Sequence, residues 1–407
     1  MIEASIFERL LDLSAEWRVT EVVLEKETNS LYVYISYTLD RALHPVSGED
    51  CKIYDLRKER EWQHLPVMQY RSFIRCRVPR VKSSTGQVAS LAVPWAESGE
   101  RHTYLFENLA IDVLQATHNQ TKAAGLLQTS FDIINRIMHR SVARGLARRV
   151  IEDGEVTELC LDEKGFTCPS GYISVLVDPA NRRILDVTEG RDTASALQLL
   201  ANALSAYQLA GVKNVNMDMW KPYMTSAETL MPQAEITHDK FHVVKYLNDA
   251  VDSTRKQEVK TEPLLRNSKY TLLKNASNRT PDQHELFSDI MEANLKTSKA
   301  WAFAESFKEI FTACNEAQAQ AYLDFWADKV TESKLPHMIK VAKTMVNHAK
   351  GIINNIKFKT TNSLAERFNG KIQTLNDVGR GYRTFKNFRS AILFFNGGLD
   401  LLSYNNQ

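Results

Sequence analysis

Three short apolar segments, separated by turn residues, predict three successive β-strands: TELCLD (157–162), YISVLVD (172–178) and RILDVTEG (183–190). The segments after them predict a helix capped by Gly211, a strand, a short helix, a strand and a helix: TASALQLLANALSAYQLAG (193–211), VKNVNMD (212–218), KPYMTSAETLM (221–231), AEITHD (234–239) and KFHVVKYLNDAV (240–251). This order is that of a ribonuclease H-like domain, an α/β sheet with helices on both faces. We therefore predict the first part of such a core at residues 151–252.

Asp162 and Asp218 each end a predicted strand, and a late predicted helix, NSLAERFNGKIQTL (362–375), carries Glu366. Neighbouring strand ends bring their last side chains close together, whatever their separation in sequence. Mg²⁺ prefers carboxylate oxygens, and a pair of such ions stabilises both the attacking and the leaving oxygen of a phosphodiester transfer. Aspartate also serves as a turn residue at strand ends, so the spacing alone leaves a structural role open.

The region between the fifth strand and Glu366 has a different pattern. Residues 253–355 are nearly all helix-forming, with helix starts predicted at Thr280 and Pro336. Aromatic residues recur there at helical spacing, which is more typical of a core than of a binding surface. We predict an all-helical insertion, followed at 356–407 by the final helices of the core.

Residues 1–100 read as short strands and predict a β-rich module. EVVLEKETNSLYVYISYT (21–38) alternates apolar and polar residues around a turn, and YRSFIRCRVPRV (70–81) alternates again. The second segment predicts an edge of arginines that faces phosphates: Arg71, Arg75, Arg77 and Arg80.

Residues 101–150 predict three helices with the spacing of a helix-turn-helix, the third starting after Thr129 or Ser130. The third helix carries an arginine at every fourth position, which lines them along one face: Arg136, Arg140, Arg144 and Arg148. A solvated face is the alternative, but the spacing and the scarcity of interleaved acids favour DNA contact.

The bulk properties fit a cytoplasmic, bacterial protein. The chain has 407 residues, 43% of them hydrophobic and 25% charged, which suffices for a large core. We find no apolar run of about 18 residues and no apolar signal segment. The five cysteines have no paired spacing and are expected to be reduced thiols.

Four segments together resemble DDE transposases of the insertion-sequence L-three family. They are LDEKGF (161–166), NMDMWKPYM (216–224), THDKFHVVKYLNDAV (237–251) and NSLAERFNGKIQ (362–373), the last followed by GYRTFKNFR (381–389). The resemblance implies that Asp162, Asp218 and Glu366 are the metal-binding catalytic acids. It also implies a metal-adjacent role for Asp239, and for His242 a role in contacting a DNA phosphate or handling a proton. Asn362 and Asn369 lie four residues before and three after Glu366, on its face of the helix, which suits them to contact DNA or orient the glutamate. A structural role for Asp239 as a helix cap stays open.

One departure from the family concerns its N-terminal pair of Cys-X-X-Cys-Gly zinc knuckles. The corresponding places read HPVSG (44–48) and KSSTG (82–86). Their side chains are His44, Ser47, Lys82 and Thr85 where the family has thiolates, and serine, threonine and lysine do not form a structural zinc site. We therefore expect the strands without structural zinc.

These observations predict a transposase that binds the inverted-repeat ends of a mobile element and uses Mg²⁺, with Mn²⁺ able to substitute, for DNA hydrolysis and strand transfer. The resemblance implies that the partners are double-stranded DNA and further copies of the chain, as a homodimer or larger assembly on DNA; no membrane is expected. The alternatives are a catalytically silent DNA-binding descendant of a transposase, and a ribonuclease H-like nuclease that only cuts.

Overall fold

The computed structural model describes residues 4–152, 154–166, 171–358 and 363–403. The chain divides into two compact units. The first comprises Met1–Arg149, Val378–Gly381 and Leu399–Gln407, and the second Val150–Asp377 and Tyr382–Gly398. None of the described helices combines the length and the apolar character needed to cross a membrane.

The first unit starts with a short helix, α1 (Ala4–Leu10), and then consists of strands. These are β1 (Trp17–Glu25), β2 (Ser30–Tyr37), β3 (Arg41–Leu43), β4 (Asp50–Leu56), β5 (Arg60–Val67), β6 (Tyr70–Cys76), β7 (Pro79–Lys82) and β8 (Val88–Ser90). Within the described ranges they form two four-stranded sheets, of order β1-β2-β6-β5 and β3-β4-β7-β8. The alternation predicted for residues 21–38 is confirmed, because Leu31, Val33 and Ile35 of β2 are all buried in the core.

Three helices follow in the first unit: α2 (Tyr104–Thr117), α3 (Gln120–Leu126) and α4 (Phe131–Glu152). The Thr103 hydroxyl caps α2 by accepting a hydrogen bond from the backbone N–H of Phe106. Asn119 caps α3 in the same way, after His118 has ended α2 in the left-handed conformation, with φ 53°. The Ser130 hydroxyl accepts from the N–H of Ile133 at 3.3 Å, so Ser130, one of the two predicted caps, starts α4.

The second unit is built on an α/β arrangement, as the sequence predicts. Its first elements are β9 (Glu158–Gly165), β10 (Tyr172–Asp178), β11 (Arg183–Glu189), α5 (Thr193–Ala203), α6 (Ala206–Gly211), β12 (Asn214–Met217), α7 (Lys221–Leu230), β13 (Glu235–His238) and α8 (Lys240–Glu258). In the part of the chain that the structure covers, the sheet has the order β11-β10-β9-β12-β13. The three strands β11, β10 and β9 are antiparallel, while β12 runs parallel to both β9 and β13.

The prediction of a single helix over 193–211 is wrong, because this segment forms two helices. Leu204 is extended, with φ −132° and ψ 140°, and Ser205 starts α6 with a capping box to Gln208. Gly211 is the last residue of α6 and Val212 takes the C-cap position, so the predicted glycine cap is wrong as well.

The all-helical character predicted for residues 253–355 is confirmed over this region. The α-helices are α9 (Lys269–Leu273), α10 (Pro281–Glu292), α11 (Lys296–Phe307), α12 (Glu316–Glu332), α13 (Pro336–Asn347) and α14 (Ala349–Phe358), with 3₁₀ turns at Pro263–Leu265, Ala276–Asn278 and Lys308–Thr312. Thr280 caps α10 through a capping box with Gln283, and α13 starts at Pro336, as predicted. Phe307 and Trp326 are buried in this region's core, which confirms the core interpretation of the aromatic stripe.

Helix α14 fixes the end of β13, where the candidate site begins. The side-chain amides of Asn354 and Asn355 donate to the backbone oxygens of Ile236 and His238, both at 2.7 Å. A Cβ atom on Gly351 would lie 2.4 Å from Cδ2 of His238, so only glycine allows this close approach. The chain then ends with α15 (Ser363–Val378) and α16 (Phe385–Asn396).

Candidate active site

The pairing of three neighbouring strands brings together Asp162, Asp218 and Asp239. Leu161 of β9 lies opposite Met217 of β12, so Asp162 and Asp218 are the next residues on two adjacent parallel strands. His238 of β13 lies opposite Met217, and the backbone N–H of Asp239 donates to the Met217 oxygen at 3.0 Å. The predicted meeting of Asp162 and Asp218 therefore follows from strand register.

The prediction that the first strand ends on Asp162 is wrong. β9 continues to Gly165, because its antiparallel pairing with β10 extends as far as Gly165 opposite Tyr172. Asp218, by contrast, directly follows the last residue of β12. Asp162 therefore lies within the β9–β10 ladder, with paired residues before and after it, while Asp218 lies in the loop between β12 and α7.

Asp162 is a buried carboxylate, 7% exposed, with a hydrogen bond to each oxygen. Its Oδ1 accepts from the backbone N–H of Glu163 and its Oδ2 from the side-chain amide of Asn369, both at 2.8 Å. Burial raises the pKa of Asp162, and the nearby Asp239 adds to this, although the two hydrogen bonds and His242 partly offset it. The negative charge of ionised Asp162 is thus only partly stabilised by the side chains that the structure describes.

Asp218 has a similar electrostatic environment. Its Oδ1 accepts from the backbone N–H of Met219 at 2.6 Å. Burial raises the pKa of Asp218, and the charges of Glu163 and Asp239 raise it further, against the opposing effects of His242 and the Met219 hydrogen bond. Two adjacent carboxylates with raised pKa values are a place where a bound cation would relieve both the burial cost and the mutual repulsion.

Asp239 and His242 form a hydrogen-bonded pair at the start of α8. Asp239 is 2% exposed; its Oδ1 accepts from the backbone N–H of Phe241 at 3.0 Å, and its Oδ2 lies 2.7 Å from His242 Nδ1. Burial lowers the pKa of His242, but the bond to Asp239 and the charges of Asp218, Asp239 and Asp162 outweigh it and raise the pKa overall. Asp239 therefore caps α8, which is the structural role that the sequence left open, and it also orients His242.

Glu366 is the third predicted acid. It is exposed in the first turn of α15, and in the ranges given above no group of three or more His, Cys, Asp or Glu side chains is arranged to hold a metal ion. Asn369 lies three residues further along the same helix and donates to Asp162. Asn362 falls outside the described residues.

A side chain that the sequence interpretation missed connects β9 with the segment that follows β12. Arg191, in the turn after β11, donates from Nη1 to both carboxylate oxygens of Glu163 at 3.0 and 3.1 Å. The indole N–H of Trp220, two residues after Asp218, donates to the backbone oxygen of Arg191 at 2.8 Å. The segments GRD (190–192) and MDMW (217–220) each place these residues near an acid, but nothing local in the sequence shows that they meet.

In the first unit, the predicted arginine face of α4 makes ion pairs within the protein. Arg140 and Arg144 both pair with Glu107, and Arg144 also donates to the backbone oxygen of Leu401 at 2.8 Å. Arg148 pairs with Asp400 at 2.9 Å. The acids of these ion pairs lie elsewhere in the chain. The scarcity of acids between the arginines therefore did not indicate that the arginines are paired. Arg136 is exposed, and DNA contact stays a prediction for the set.

The predicted arginine edge of the β-rich module likewise contains both arginines that are paired within the protein and an exposed one. Arg75 pairs with Glu61 at 2.8 Å and lies 3.7 Å from the ring centroid of Tyr32. Arg80 pairs with Asp55. Arg77, just after β6, is exposed.

The two degenerate knuckle turns lie at the ends of the β3–β4 and β7–β8 hairpins. Nδ1 of the buried His44 accepts from the backbone N–H of Ser47 at 3.1 Å, which uses the nitrogen lone pair locally. The Glu49 carboxylate joins the turns by accepting from the backbone N–H and the hydroxyl of Ser84, at 2.8 and 2.9 Å. These side chains do not fit a structural zinc ion, because none supplies a thiolate.

Comparison with known proteins gives a consistent result. A family model described as a transposase, of the DDE type and the insertion-sequence L-three group, matches residues 159–392. The transposase for insertion sequence element IS1557 of Mycobacterium tuberculosis is 24% identical over 353 residues, which cover 80% of this chain and 79% of that protein. The transposase for insertion sequence element IS1001 of Bordetella parapertussis is 22% identical over 370 residues, covering 88% and 90%.

Proposed function

The chain belongs to the DDE transposase family of the insertion-sequence L-three type, and from this membership we propose that it binds the inverted-repeat ends of a mobile element, cuts them and joins them to target DNA. The observation that carries the proposal is the adjacent pair of carboxylates, the buried Asp162 and the half-buried Asp218, which the register of two neighbouring parallel strands brings together. The antiparallel β11-β10-β9 part and the parallel β12 and β13 support a ribonuclease H-like core around that pair.

Asp162 and Asp218 would hold the metal, Mg²⁺ or Mn²⁺, because carboxylate oxygens suit these hard cations and the pair carries uncompensated negative charge. When bound, such ions activate the attacking oxygen and stabilise the leaving oxygen of a phosphodiester. The donor set fits this chemistry without a thiolate. Both aspartates are already fixed by backbone hydrogen bonds from Glu163 and Met219, which limits the reorganisation needed.

Glu366 completes the acid set in this proposal. It lies one turn before Asn369 on α15, about 4.5 Å along the helix axis from a residue that already contacts Asp162. The same helix therefore carries both a residue that contacts the pair and the acid that would join it. We propose that DNA and metal binding favour that arrangement.

The reaction consists of two phosphoryl transfers in one site. Water attacks the phosphorus at the element's end, the phosphorus–oxygen bond breaks, and a 3′-hydroxyl is released. That hydroxyl then attacks a phosphorus of the target strand, so one such bond forms as another breaks. His242 is hydrogen-bonded to Asp239 through Nδ1, and its raised pKa favours the protonated form, which would suit a DNA phosphate beside the acids.

Recognition of the ends is assigned to the first unit. Helices α2, α3 and α4 have the lengths and short joints of a helix-turn-helix, and two exposed arginines, Arg136 on α4 and Arg77 after β6, are suited to phosphate contact. Paired ends must be held together for joining, so we propose a homodimer or larger assembly on DNA.

The decisive experiment compares the wild type with Asp218→Asn on duplex DNA carrying the element ends, in Mg²⁺ or Mn²⁺. The amide still accepts from the Met219 N–H but loses the charge, so the variant should bind DNA normally and cut more than about 10³-fold more slowly. Asp249→Asn, which changes an exposed aspartate on α8, is the matched control and should cut like the wild type.

Three other outcomes would each change the conclusion. Equal binding by both proteins with no cutting under either metal would favour a silent DNA-binding descendant, a possibility that the degenerate knuckle turns also support. Cutting without joining of a pre-cut end would favour a nuclease. Undiminished cutting by Asp218→Asn would remove the aspartate pair from the mechanism.

A further inference from the structure

The indole of Trp220 is more accessible than those of the other tryptophans in this protein. Of the six tryptophans, all within the described ranges, four are at most 5% exposed and Trp301 is partly buried, whereas Trp220 is 36% exposed. Leaving a large aromatic surface in water forgoes a substantial hydrophobic stabilisation. An aromatic ring beside the proposed catalytic acids, with part of its surface in water, is available to stack on a ligand.

The indole is already held in place without a ligand. Trp220 lies two residues after Asp218 and directly before α7, whose first turn contains Pro222. Its Nε1–H donates to the backbone oxygen of Arg191 at 2.8 Å, which fixes the plane of the ring. Binding to such a surface requires little additional ordering of the protein.

The guanidinium of Arg191 joins the indole to the other catalytic strand. Its central carbon lies 4.8 Å from the ring centroid of Trp220 and 3.9 Å from that of Tyr172. Its Nη1 binds both oxygens of Glu163, the neighbour of Asp162, and the side chain is 35% exposed. The resulting platform, Tyr172, Arg191 and Trp220, is thus connected by covalent neighbours or hydrogen bonds to both catalytic aspartates.

We propose that this platform stacks an unpaired DNA base next to the scissile phosphate, an inference that rests on the proposed function and extends it. An aromatic face and a guanidinium both stack on nucleobases, largely independently of sequence. The positive charge of Arg191 also moderates the repulsion that the acid cluster exerts on DNA. A base inside a duplex has both faces covered by its neighbours, so the ligand is a base released from pairing at the element's end.

A fluorescence experiment in metal-free buffer tests the stacking without any cutting. The probe is a single-stranded oligothymidylate with one 2-aminopurine, whose emission is quenched when the base stacks. The wild type should quench it, Trp220→Ala should bind about tenfold more weakly and lose the quenching, and Trp220→Phe should retain part of both. Phe325→Ala is the matched control, because Phe325 is 61% exposed on α12 and should not affect the signal.

Equal quenching and affinity in Trp220→Ala, whatever its melting temperature, would overturn the proposal and leave the platform a structural feature. A loss of the same size in Phe325→Ala would also overturn it, because the signal would then not report this site.

A cleavage experiment distinguishes this proposal from the proposed function. On fully paired element ends in Mn²⁺, Trp220→Ala should cut at least about tenfold more slowly than wild type, and mismatches at the terminal pairs should restore much of the rate. If the wild type itself does not cut, the proposed function fails and the fluorescence result alone decides the stacking. If the wild type cuts and Trp220→Ala cuts paired and mismatched ends equally fast, the platform proposal fails by itself.

Discussion

Glu107 in the first unit and Asp162 in the second are both buried carboxylates, 2% and 7% exposed, with opposite electrostatic environments. Burial raises the pKa of Glu107, but hydrogen bonds from His102 and Arg144 and the charges of Arg140 and Arg144 outweigh it, so its pKa is lowered. The pKa of Asp162 is raised, because its hydrogen bonds and His242 do not offset burial and a neighbouring acid. The charge of Glu107 is thus compensated inside the protein, whereas the charge of Asp162 is left partly uncompensated, as the proposed metal site requires.

The largest effect that would test this contrast is expected at Glu107. Replacing Glu107 with Gln leaves two partly buried arginines without their shared anion, which should lower the free energy of unfolding by about 3 kcal/mol. Thermal and urea denaturation measure this, with Asp112→Asn at an exposed position of α2 as control. A change within about 0.5 kcal/mol would mean that the ion-pair network contributes nothing.

A smaller effect of opposite sign is expected at Asp218. Without metal, Asp218→Asn should stabilise the protein by about 1 kcal/mol at pH 7, because it removes a charge that burial disfavours. A raised folded-state pKa contributes stability that is full below the unfolded pKa and is lost as pH rises through the folded pKa. The advantage of the variant should therefore vanish at low pH and grow toward neutral pH.

Melting temperatures from pH 4 to pH 8 measure that difference, with Asp249→Asn as the exposed control. A stability gain that is the same at every pH would show that the charge of Asp218 is not its cause.

The smallest effect separates the arginines of α4. Arg136→Ala should reduce the slope of log affinity for DNA against log salt by about one and leave the melting temperature unchanged, because Arg136 is exposed. Arg144→Ala should lower the melting temperature instead, because it removes a partner of Glu107. Salt titrations of DNA binding and thermal melts of both variants measure the slope and the melting temperature. An unchanged slope for Arg136→Ala would mean that Arg136 only forms part of a solvated helix face.

Local sequence patterns predicted much of the secondary structure because they depend on neighbours along the chain. The alternation in β2, the capping box at Thr280 and the start of α13 at Pro336 are each specified within a few residues. Two predictions were wrong: the single helix over 193–211 and the strand end at Asp162. The cause of the first is local in the sequence, and the cause of the second is the pairing with another strand. Ser205 offered a second capping box inside an apparently continuous helical pattern, and the pairing of β9 with β10 extended a strand past its apolar residues.

The sequence by itself determined the family, the α/β class and the acids that carry the proposed chemistry, because spacing, strand patterns and motifs are properties of the linear chain. Only the tertiary structure decided which charges are compensated. Glu107 meets Arg140 and Arg144, Asn369 reaches Asp162, and Arg191 joins Glu163 to Trp220 through contacts between distant segments. Electrostatic environment depends on distance and burial in three dimensions, which the order of residues does not reveal.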